Sequence, residues 1–412
     1  MTLSPEVLLW IIVGIVSLSF VVGQILEYIN LKAMRTDIPA EIASFYDREK
    51  YEKSQRYHKE VTRFSFLTST IGFVGSILML LLGGFGWVDG LLRTVTENQI
   101  LLALLFFGVL GFASDLLTLP FQWYGTFVIE EKYGFNKTTI KTFITDKLKG
   151  YVLGAIIGGG LLAALIYLIE TIGPDFWIWF AALACGFMLF MNMFYTSLIL
   201  PLFNKLTPLP DGELKTAIEE FSRKINFPIT NIFVIDGSKR SKKANAFFSG
   251  MGKKKKIVLY DTLIANHTTE ELVAVLAHEV GHYKKRHIIW SYVLTVVQLV
   301  FMLFVLAQMV FNEELSLALG GTQHAIHLNL LAFTFLFSPI SVITGLFMNS
   351  YSRKNEFEAD AYARETYNGK ALAEALKKLS VDNLSNLYPH PAYVFVHYSH
   401  PPLLQRLEMI EK

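Results

Sequence analysis

The sequence is poor in cysteine and in charge. Cys185 is the only cysteine among 412 residues, so the chain can form no intramolecular disulfide and no zinc site built from cysteines. Charged residues make up 17% of the chain and the formal net charge is +2 at pH 7, which leaves no basic excess for binding nucleic acid. Internal repeats and low-complexity tracts are also lacking. These absences argue against a disulfide-stabilised fold and against nucleic acid as a partner.

Hydrophobic residues dominate instead. They account for 52% of the chain, and the mean hydropathy is +0.40. Several apolar runs reach the roughly 20 residues that a helix needs to cross a bilayer. They predict seven transmembrane spans, near residues 7–29, 65–87, 99–119, 151–172, 176–203, 288–312 and 328–349. The first span is too long for a cleaved signal peptide and lacks a basic start and a small-residue cleavage site.

Basic residues lie in the connections on one side of the predicted membrane. The segments after the first, third and fifth spans are basic, as is the C-terminal tail, whereas the connections 88–98, 173–175 and 313–327 contain only Arg93. Because positively charged loops tend to stay in the cytosol, the N-terminus is expected outside. The long connection 204–287 and the tail are then expected to face the cytosol.

The connection after the fifth span is patterned differently from the apolar spans around it. An amphipathic helix is predicted at 212–225, and a further helix is predicted to begin near Thr268 or Thr269, with Glu271 in a capping position. Residues 268–312 then form one long helix or two closely joined helices. Short β-rich runs predict strands at 231–235, 244–248 and 256–260, with a hairpin turn at 249–252 joining the last two.

The run His278-Glu279-Val280-Gly281-His282 is the most informative motif. Histidines four residues apart lie on one face of a helix, one turn from each other, so that both imidazoles can reach a single zinc ion. Glu279 then points at the open coordination position of the metal, as a hydrolase requires. The alternative is a surface helix with two unrelated histidines, and a third ligand would argue against it.

The stretch just after the last span offers that third ligand. Glu356 and Asp360 are four apart on a predicted helix, so they share a face. Glu356 can bind zinc, and Asp360 can accept a hydrogen bond from the distal nitrogen of a ligand histidine. Glu358 points about 200° away from Glu356 and is the weaker candidate. His287 follows His278 by nine residues, which predicts the opposite helical face and a structural or interfacial role.

Further motifs along the chain make the resemblance to a known family visible. They are Leu119-Pro120-Phe121, Thr126-Phe127-Val128-Ile129-Glu130-Glu131, Gly134-Phe135-Asn136-Lys137-Thr138, Pro201-Leu202-Phe203-Asn204-Lys205, Asn245-Ala246-Phe247-Phe248 and His397-Tyr398-Ser399-His400-Pro401-Pro402 with Arg406. With the zinc motif, the chain resembles the integral-membrane zinc endopeptidases of the type I CAAX prenyl protease family, which are gluzincins. The resemblance covers nearly the whole chain in order and spacing.

The resemblance implies seven helices arranged around a large internal chamber, with the metal site facing inward. It implies one zinc ion per chain, held by His278, His282 and Glu356, and Glu279 as the general base. It places the substrate backbone on the strand that holds Asn245, Ala246 and Phe247, and it places His400 and Arg406 at the active site. The alternatives are structural: Asn245 ends a strand, His400 caps a turn, and Arg406 pairs with a helix carboxylate.

We therefore predict an all-α polytopic membrane protein with a small cytosolic α+β zinc metalloprotease domain. Its parts are expected to be five transmembrane helices with basic loops in 1–204, the α/β segment with the zinc helix in 205–287, spans six and seven in 288–350, and a tail with the third ligand in 351–412. The expected partners are the lipid bilayer and a peptide or protein substrate, which can be prenylated.

The predicted function is that of a zinc-dependent metalloendopeptidase resembling enzymes that remove the C-terminal tripeptide of prenylated CAAX proteins. The alternatives are a broad quality-control protease for membrane proteins and a non-enzymatic seven-span receptor or transporter. The short 313–327 connection and the ending Met409-Ile410-Glu411-Lys412 suggest a prokaryotic-type member. The expected location is the plasma membrane of a prokaryote, or the endoplasmic reticulum of a eukaryote.

Overall fold

Long helices make up most of the N-terminal half of the chain. The computed structural model describes residues 3–227, 231–249 and 256–412. The helices before the first strand are α1 (Pro5–Ala33), α2 (Arg48–Leu81), α3 (Gly84–Arg93), α4 (Gln99–Tyr124), α5 (Ile140–Leu153), α6 (Gly159–Ile172), α7 (Phe176–Leu198) and α8 (Leu200–Phe203). A π-helical turn, Gly125–Glu130, extends α4, and a second, Gly154–Gly158, joins α5 to α6.

A mixed sheet and a further set of helices follow. The strands are β1 (Leu206–Pro208), β2 (Ile232–Ile235), β3 (Ala246–Ser249) and β4 (Lys256–Tyr260). The helices are α9 (Glu213–Lys224), α10 (Asp261–Asn266), α11 (Thr269–Lys284), α12 (His287–Met309), α13 (Glu313–Ala318), α14 (Ile326–Ala363), α15 (Gly369–Asp382), α16 (Pro391–His397) and α17 (Leu403–Glu411).

The apolar faces of the long helices point away from the protein. Trp10 and Leu18 on α1 and Leu117 on α4 are all more than half exposed, an arrangement that is favourable in lipid and costly in water. Within the described residues, the helical stretches long and apolar enough to cross a membrane are Pro5–Ala33, Arg48–Leu81, Gln99–Glu130, Ile140–Phe203, His287–Met309 and Ile326–Asp382. The chain is therefore a multi-pass membrane protein.

One of these stretches accounts for two of the predicted spans. Ile140–Phe203 is divided by the short 3₁₀ turn Gly173–Asp175, which separates α6 from α7. The seven predicted spans thus all fall on membrane-capable helices. The predicted end of the second span at residue 87 is wrong, because Gly83 has a φ of 66° and ends α2. Glycine adopts this left-handed conformation without steric cost, and α3 begins after it.

The sheet orders its strands β1-β2-β4-β3 and leaves β3 at one edge. β2 and β4 are parallel, whereas β1 with β2 and β3 with β4 are antiparallel. The predicted strands at 231–235, 244–248 and 256–260 are confirmed within two residues. β1 has no counterpart among them, because three residues ending in proline give too short a pattern to recognise. The predicted hairpin turn at 249–252 lies largely in 250–255, outside the described residues.

The core beneath the sheet consists of α9, α11 and α15. The predicted amphipathic helix is confirmed as α9, whose Ile218 and Phe221 are buried there. Leu272, Val273 and Leu276 on α11 are also buried. Each fully buried side chain of this size contributes roughly 1.5–3 kcal/mol. This packing fixes the orientation of α11, the helix that carries the histidine motif.

Candidate metal centre and active site

The motif helix α11 begins with a capping box. The Thr268 hydroxyl accepts a hydrogen bond from the Glu271 backbone N–H, and the Glu271 carboxylate accepts one from the Thr268 N–H at 2.9 Å. Glu271 is also ion-paired to Lys378 on α15 at 2.7 Å. These bonds satisfy backbone donors that a helix start leaves free, so the predicted start of the helix is confirmed.

His278, His282 and Glu356 converge on one point. Their ligand atoms all lie within 4.8 Å of one another. The two Nε2 atoms are 3.1 Å apart, and the Glu356 Oε1 lies 3.2 Å from the His282 Nε2. Two nitrogens bound tetrahedrally to zinc at about 2.0–2.1 Å would be about 3.3 Å apart. The observed spacing therefore fits a metal ion between them.

The surroundings of the three residues also fit a cation. The Oε2 atom of Glu356 is buried and makes no hydrogen bond to any described residue. It lies 3.5 Å from both the His278 Nε2 and the Arg406 Nη1. A buried carboxylate oxygen without a hydrogen bond is costly unless a cation satisfies it. Two imidazoles and one carboxylate are a donor set that zinc takes in hydrolases, where it keeps a position open.

Asp360 and Arg406 hold His278 from behind. The His278 Nδ1 lies 2.8 Å from the Asp360 Oδ1, which leaves the Nε2 lone pair free for the metal position. Arg406 donates two hydrogen bonds to the Asp360 carboxylate, from Nε at 2.8 Å and from Nη2 at 2.6 Å. Burial lowers the pKa of His278, but its hydrogen bond to Asp360 and the nearby Glu356 carboxylate outweigh this effect and raise the pKa to about 9.

His287 occupies a position that the sequence prediction placed wrongly. The prediction extended α11 to residue 287 and put His287 on the opposite face. Arg286 instead has a φ of 61°, which breaks the helix and begins α12, so the alternative of two closely joined helices is confirmed. The His287 Nδ1 lies 3.0 Å from the His282 Nδ1, and its Nε2 lies 3.1 Å from the Glu358 Oε2.

A cavity of about 1070 Å³ opens beside the three converging side chains. Burial raises the pKa of the Glu279 carboxyl, which lines this cavity. His400 also lines it, with its Nε2 3.4 Å from the Glu356 Oε1. The other sequence-predicted site residues at the cavity wall are Asn245, Ala246, Phe247, His278, His282, Glu356 and Arg406. Asp360 lies behind His278.

Part of the cavity lining belongs to the membrane helices and was missed by the sequence prediction. Phe187, Met188 and Met191 on α7 line it, together with Tyr292 on α12. In the sequence these residues are part of uniformly apolar spans, so nothing separates a lipid-facing side chain from one that faces the cavity. These residues give the cavity an apolar wall in addition to its charged residues.

The edge strand β3 directs backbone groups into this space. The Asn245 carbonyl accepts a hydrogen bond from the Tyr260 N–H on β4. Hydrogen-bonding direction alternates along an antiparallel strand, so Ala246 and Phe248 direct their N–H and C=O groups away from β4. The Ala246 N–H is met there by the Asn245 side-chain Oδ1 at 2.9 Å. A sheet edge of this kind can pair with another extended chain.

Comparison with known proteins matches this architecture over the full chain. The family model for the CAAX prenyl protease N-terminal region, described as five membrane helices, matches residues 27–205, and the model for peptidase family M48 matches residues 208–412. The CAAX prenyl protease 1 homolog of Arabidopsis thaliana is 36% identical over 410 residues, which cover 97% of this chain and 96% of that protein. The chain belongs to peptidase family M48.

Further M48 relatives agree. The CAAX prenyl protease 1 homolog of Homo sapiens is 33% identical, with 91% of this chain and 89% of that protein covered. The crystal structure of S. mikatae Ste24p superimposes with a TM-score of 0.93 at 30% identity and covers both chains completely. The predicted fold class and family are therefore confirmed.

Membership of this peptidase family makes the protein a membrane metalloprotease that uses a metal ion. The alternative of a non-enzymatic receptor or transporter is wrong. The expectation of a prokaryotic-type member is not supported, because these relatives come from a plant, a mammal and a yeast. That expectation rested on a short loop and a chain end, and such segments vary freely in length among relatives.

Proposed function

We propose that this protein is a zinc-dependent endopeptidase that removes the C-terminal tripeptide of prenylated CAAX proteins. The observation that carries the proposal is the convergence of His278, His282 and Glu356 beside Glu279 at the wall of a cavity between membrane helices and an edge strand. The names of the relatives support the substrate class.

His278, His282 and Glu356 would hold one zinc ion per chain. When bound, zinc lowers the pKa of a coordinated water towards ~7 and polarises the peptide carbonyl. Glu279 accepts the proton of the attacking water and then donates a proton to the nitrogen of the leaving peptide. Its desolvated carboxyl suits both steps, because a raised pKa makes it a stronger base and an effective acid near neutrality.

The other site residues position the substrate and stabilise charge. An extended peptide would pair with the outward backbone groups of Ala246 and Phe248, with the Asn245 side chain giving way to the substrate carbonyl. His400 would donate a hydrogen bond to the carbonyl oxygen as negative charge develops on it. Arg406 keeps Asp360, and through it His278, in place.

The apolar wall of the cavity favours the binding of a hydrophobic substrate. Met188 and Met191 are flexible and polarizable side chains that can adapt to apolar groups of different shapes. Because α7 is also a membrane-capable helix, a lipid-modified peptide could stay in contact with the hydrocarbon layer while its backbone reaches β3. A soluble polar peptide would lack this contribution.

The orientation follows from the basic connections. We place the N-terminus outside and the metal site with the C-terminal tail in the cytosol, and, given the eukaryotic relatives, in the membrane of the endoplasmic reticulum. In sealed microsomes, whose outer face is the cytosolic face, a cysteine introduced at exposed Lys242, in a chain whose Cys185 is replaced by serine, should react with an impermeant maleimide. A cysteine at Thr94, on the lumenal side, should react only after the vesicles are permeabilised. The opposite labelling pattern would show that the metal site and the tail face away from the cytosol.

The decisive experiment compares one CAAX peptide with and without its farnesyl group, incubated with purified protein in the presence and absence of a zinc chelator. Chelator-sensitive release of the terminal tripeptide, faster with the lipid, supports the proposal. Chelator-sensitive cleavage at other bonds, or equal rates for both peptides, would favour a broad membrane-protein protease. The Glu279→Gln protein serves as the inactive control for both peptides.

A further inference from the structure

The second metal-site histidine is held differently from the first. Asp360 contacts the Nδ1 of His278 directly, whereas the Nδ1 of His282 meets another imidazole, that of His287. His287 in turn contacts Glu358 through its Nε2. We propose that His287, oriented by Glu358, is the positioning residue that fixes the tautomer and ring orientation of His282 for metal binding. This inference rests on the zinc ligation proposed above.

The geometry allows only one direction of hydrogen bonding once a metal is bound. The His282 Nε2 faces the metal position, 3.2 Å from the Glu356 Oε1, so it must present a lone pair there. Its proton then resides on Nδ1 and is donated to His287. The His287 Nδ1 must accept this bond, and its own proton therefore resides on Nε2, where it is donated to the Glu358 carboxylate. Each tautomer fixes the next.

Glu358 is the last member of this series of hydrogen bonds, and its position explains why an imidazole, that of His287, accepts the bond from His282. The His287 side chain is 6% exposed and the Glu358 side chain is 41% exposed, so the negative charge stays near solvent while its influence reaches His282, whose side chain is 19% exposed. The Glu358 carboxylate on the Nε2 of His287 increases the basicity of its Nδ1. This nitrogen then accepts a stronger hydrogen bond from His282, which makes His282 a stronger ligand for a metal.

The backbone break at Arg286 makes this contact possible. An uninterrupted helix would carry residue 287 away from residue 282, because five residues correspond to about 500° of rotation. The left-handed conformation of Arg286 turns the chain so that His287 faces back onto His282. Glu358 points away from Glu356 along α14, as the helical wheel predicts, and this places it beside α12 rather than beside the metal position.

The test uses His287→Leu and His287→Asn. Leucine removes the acceptor, whereas asparagine offers a carbonyl oxygen close to the position of the imidazole Nδ1. The zinc dissociation constant of each purified protein is measured by competition with a chromophoric chelator. We expect His287→Leu to bind zinc about 10–100-fold more weakly and His287→Asn to stay close to wild type. Glu358→Ala should weaken binding in the same direction.

The visible spectrum of the cobalt-substituted proteins gives a second readout that does not depend on activity. His287→Leu should change the d–d bands, because the ring of His282 is no longer held, and His287→Asn should restore them. His324→Leu is the matched control, since His324 lies beyond the far end of α12 and bonds the Val310 carbonyl. It should leave both the zinc constant and the spectrum unchanged.

The outcomes separate this inference from the proposed function. Wild-type zinc affinity and spectrum in His287→Leu would overturn the inference, and so would equal losses in His287→Leu and His287→Asn. If Glu358→Ala binds zinc with wild-type affinity, Glu358 does not orient His287. A wild-type protein that binds no zinc, or a His282→Ala protein that binds it normally, would instead overturn the proposed ligand set.

Discussion

Gly281 on α11 lies against Ala359 on α14 with no room for a side chain between them. A Cβ atom added to Gly281 would lie 3.0 Å from the Ala359 Cα and 3.2 Å from its carbonyl oxygen. Gly281 lies between His278 and His282 in the sequence, three residues after the first and one before the second. Glu356 lies one turn before Ala359 on its helix. This backbone contact therefore sets the distance between the histidines and the carboxylate that completes their site.

Substituting Gly281 should disturb the metal site without touching a ligand. We expect Gly281→Ala to destabilise the protein by roughly 1–3 kcal/mol, because the helices must move apart, and to weaken zinc binding. The thermal unfolding midpoint and the zinc dissociation constant measure the two effects. Gly345→Ala on the same α14 is the control, since no described atom lies within 4 Å of its added Cβ. Equal behaviour of the two variants would contradict the prediction.

Replacing the general base should separate chemistry from metal binding. Glu279→Gln keeps the size of the side chain but cannot accept a proton, so turnover of the farnesylated peptide should fall by about 10²–10⁴-fold. Zinc content, measured by elemental analysis, should stay at the wild-type value. Glu219→Gln on the exposed face of α9 is the matched control and should cleave at the wild-type rate. Unimpaired cleavage by Glu279→Gln would exclude this mechanism.

Removing the carboxylate behind His278 should weaken the metal site. Asp360→Ala deletes the acceptor at 2.8 Å from the His278 Nδ1 and leaves Arg406 without its bidentate partner. Zinc affinity should fall by about 10–100-fold, and activity should return in part at high zinc concentration. Glu365→Ala, at an exposed position after α14, is the control. If the two variants bind zinc equally well, Asp360 does not hold the ligand.

The free edge of β3 can be tested through its backbone. Proline at position 246 removes an N–H that points away from β4, so the ladder inside the sheet should persist while one bond to the substrate is lost. A loss of about 1 kcal/mol corresponds to roughly a fivefold fall in kcat/KM. Ala246→Pro should retain zinc and its thermal midpoint. If kcat/KM is unchanged in that folded protein, the peptide does not pair with this edge.

Sequence patterns were most informative where the signal is local. The apolar runs located the membrane helices, because a bilayer imposes a length and a polarity on each span independently of the others. The spacing of His278 and His282 singled out one helix face, and Glu356 and Asp360 followed from the same periodicity. The structure places the side chains of His278, His282 and Glu356 together and Asp360 behind them.

The sequence by itself therefore determined the number of apolar spans, the helix that carries the motif and the residues able to bind a metal, because each depends on contacts within a few residues. Only the tertiary structure decided that His287 turns back onto His282 and that Glu358 meets it, since both contacts depend on one backbone torsion at Arg286. It also decided which edge of the sheet is free and how closely Gly281 approaches Ala359. These features arise where segments distant in the sequence pack together, and no local pattern encodes that packing.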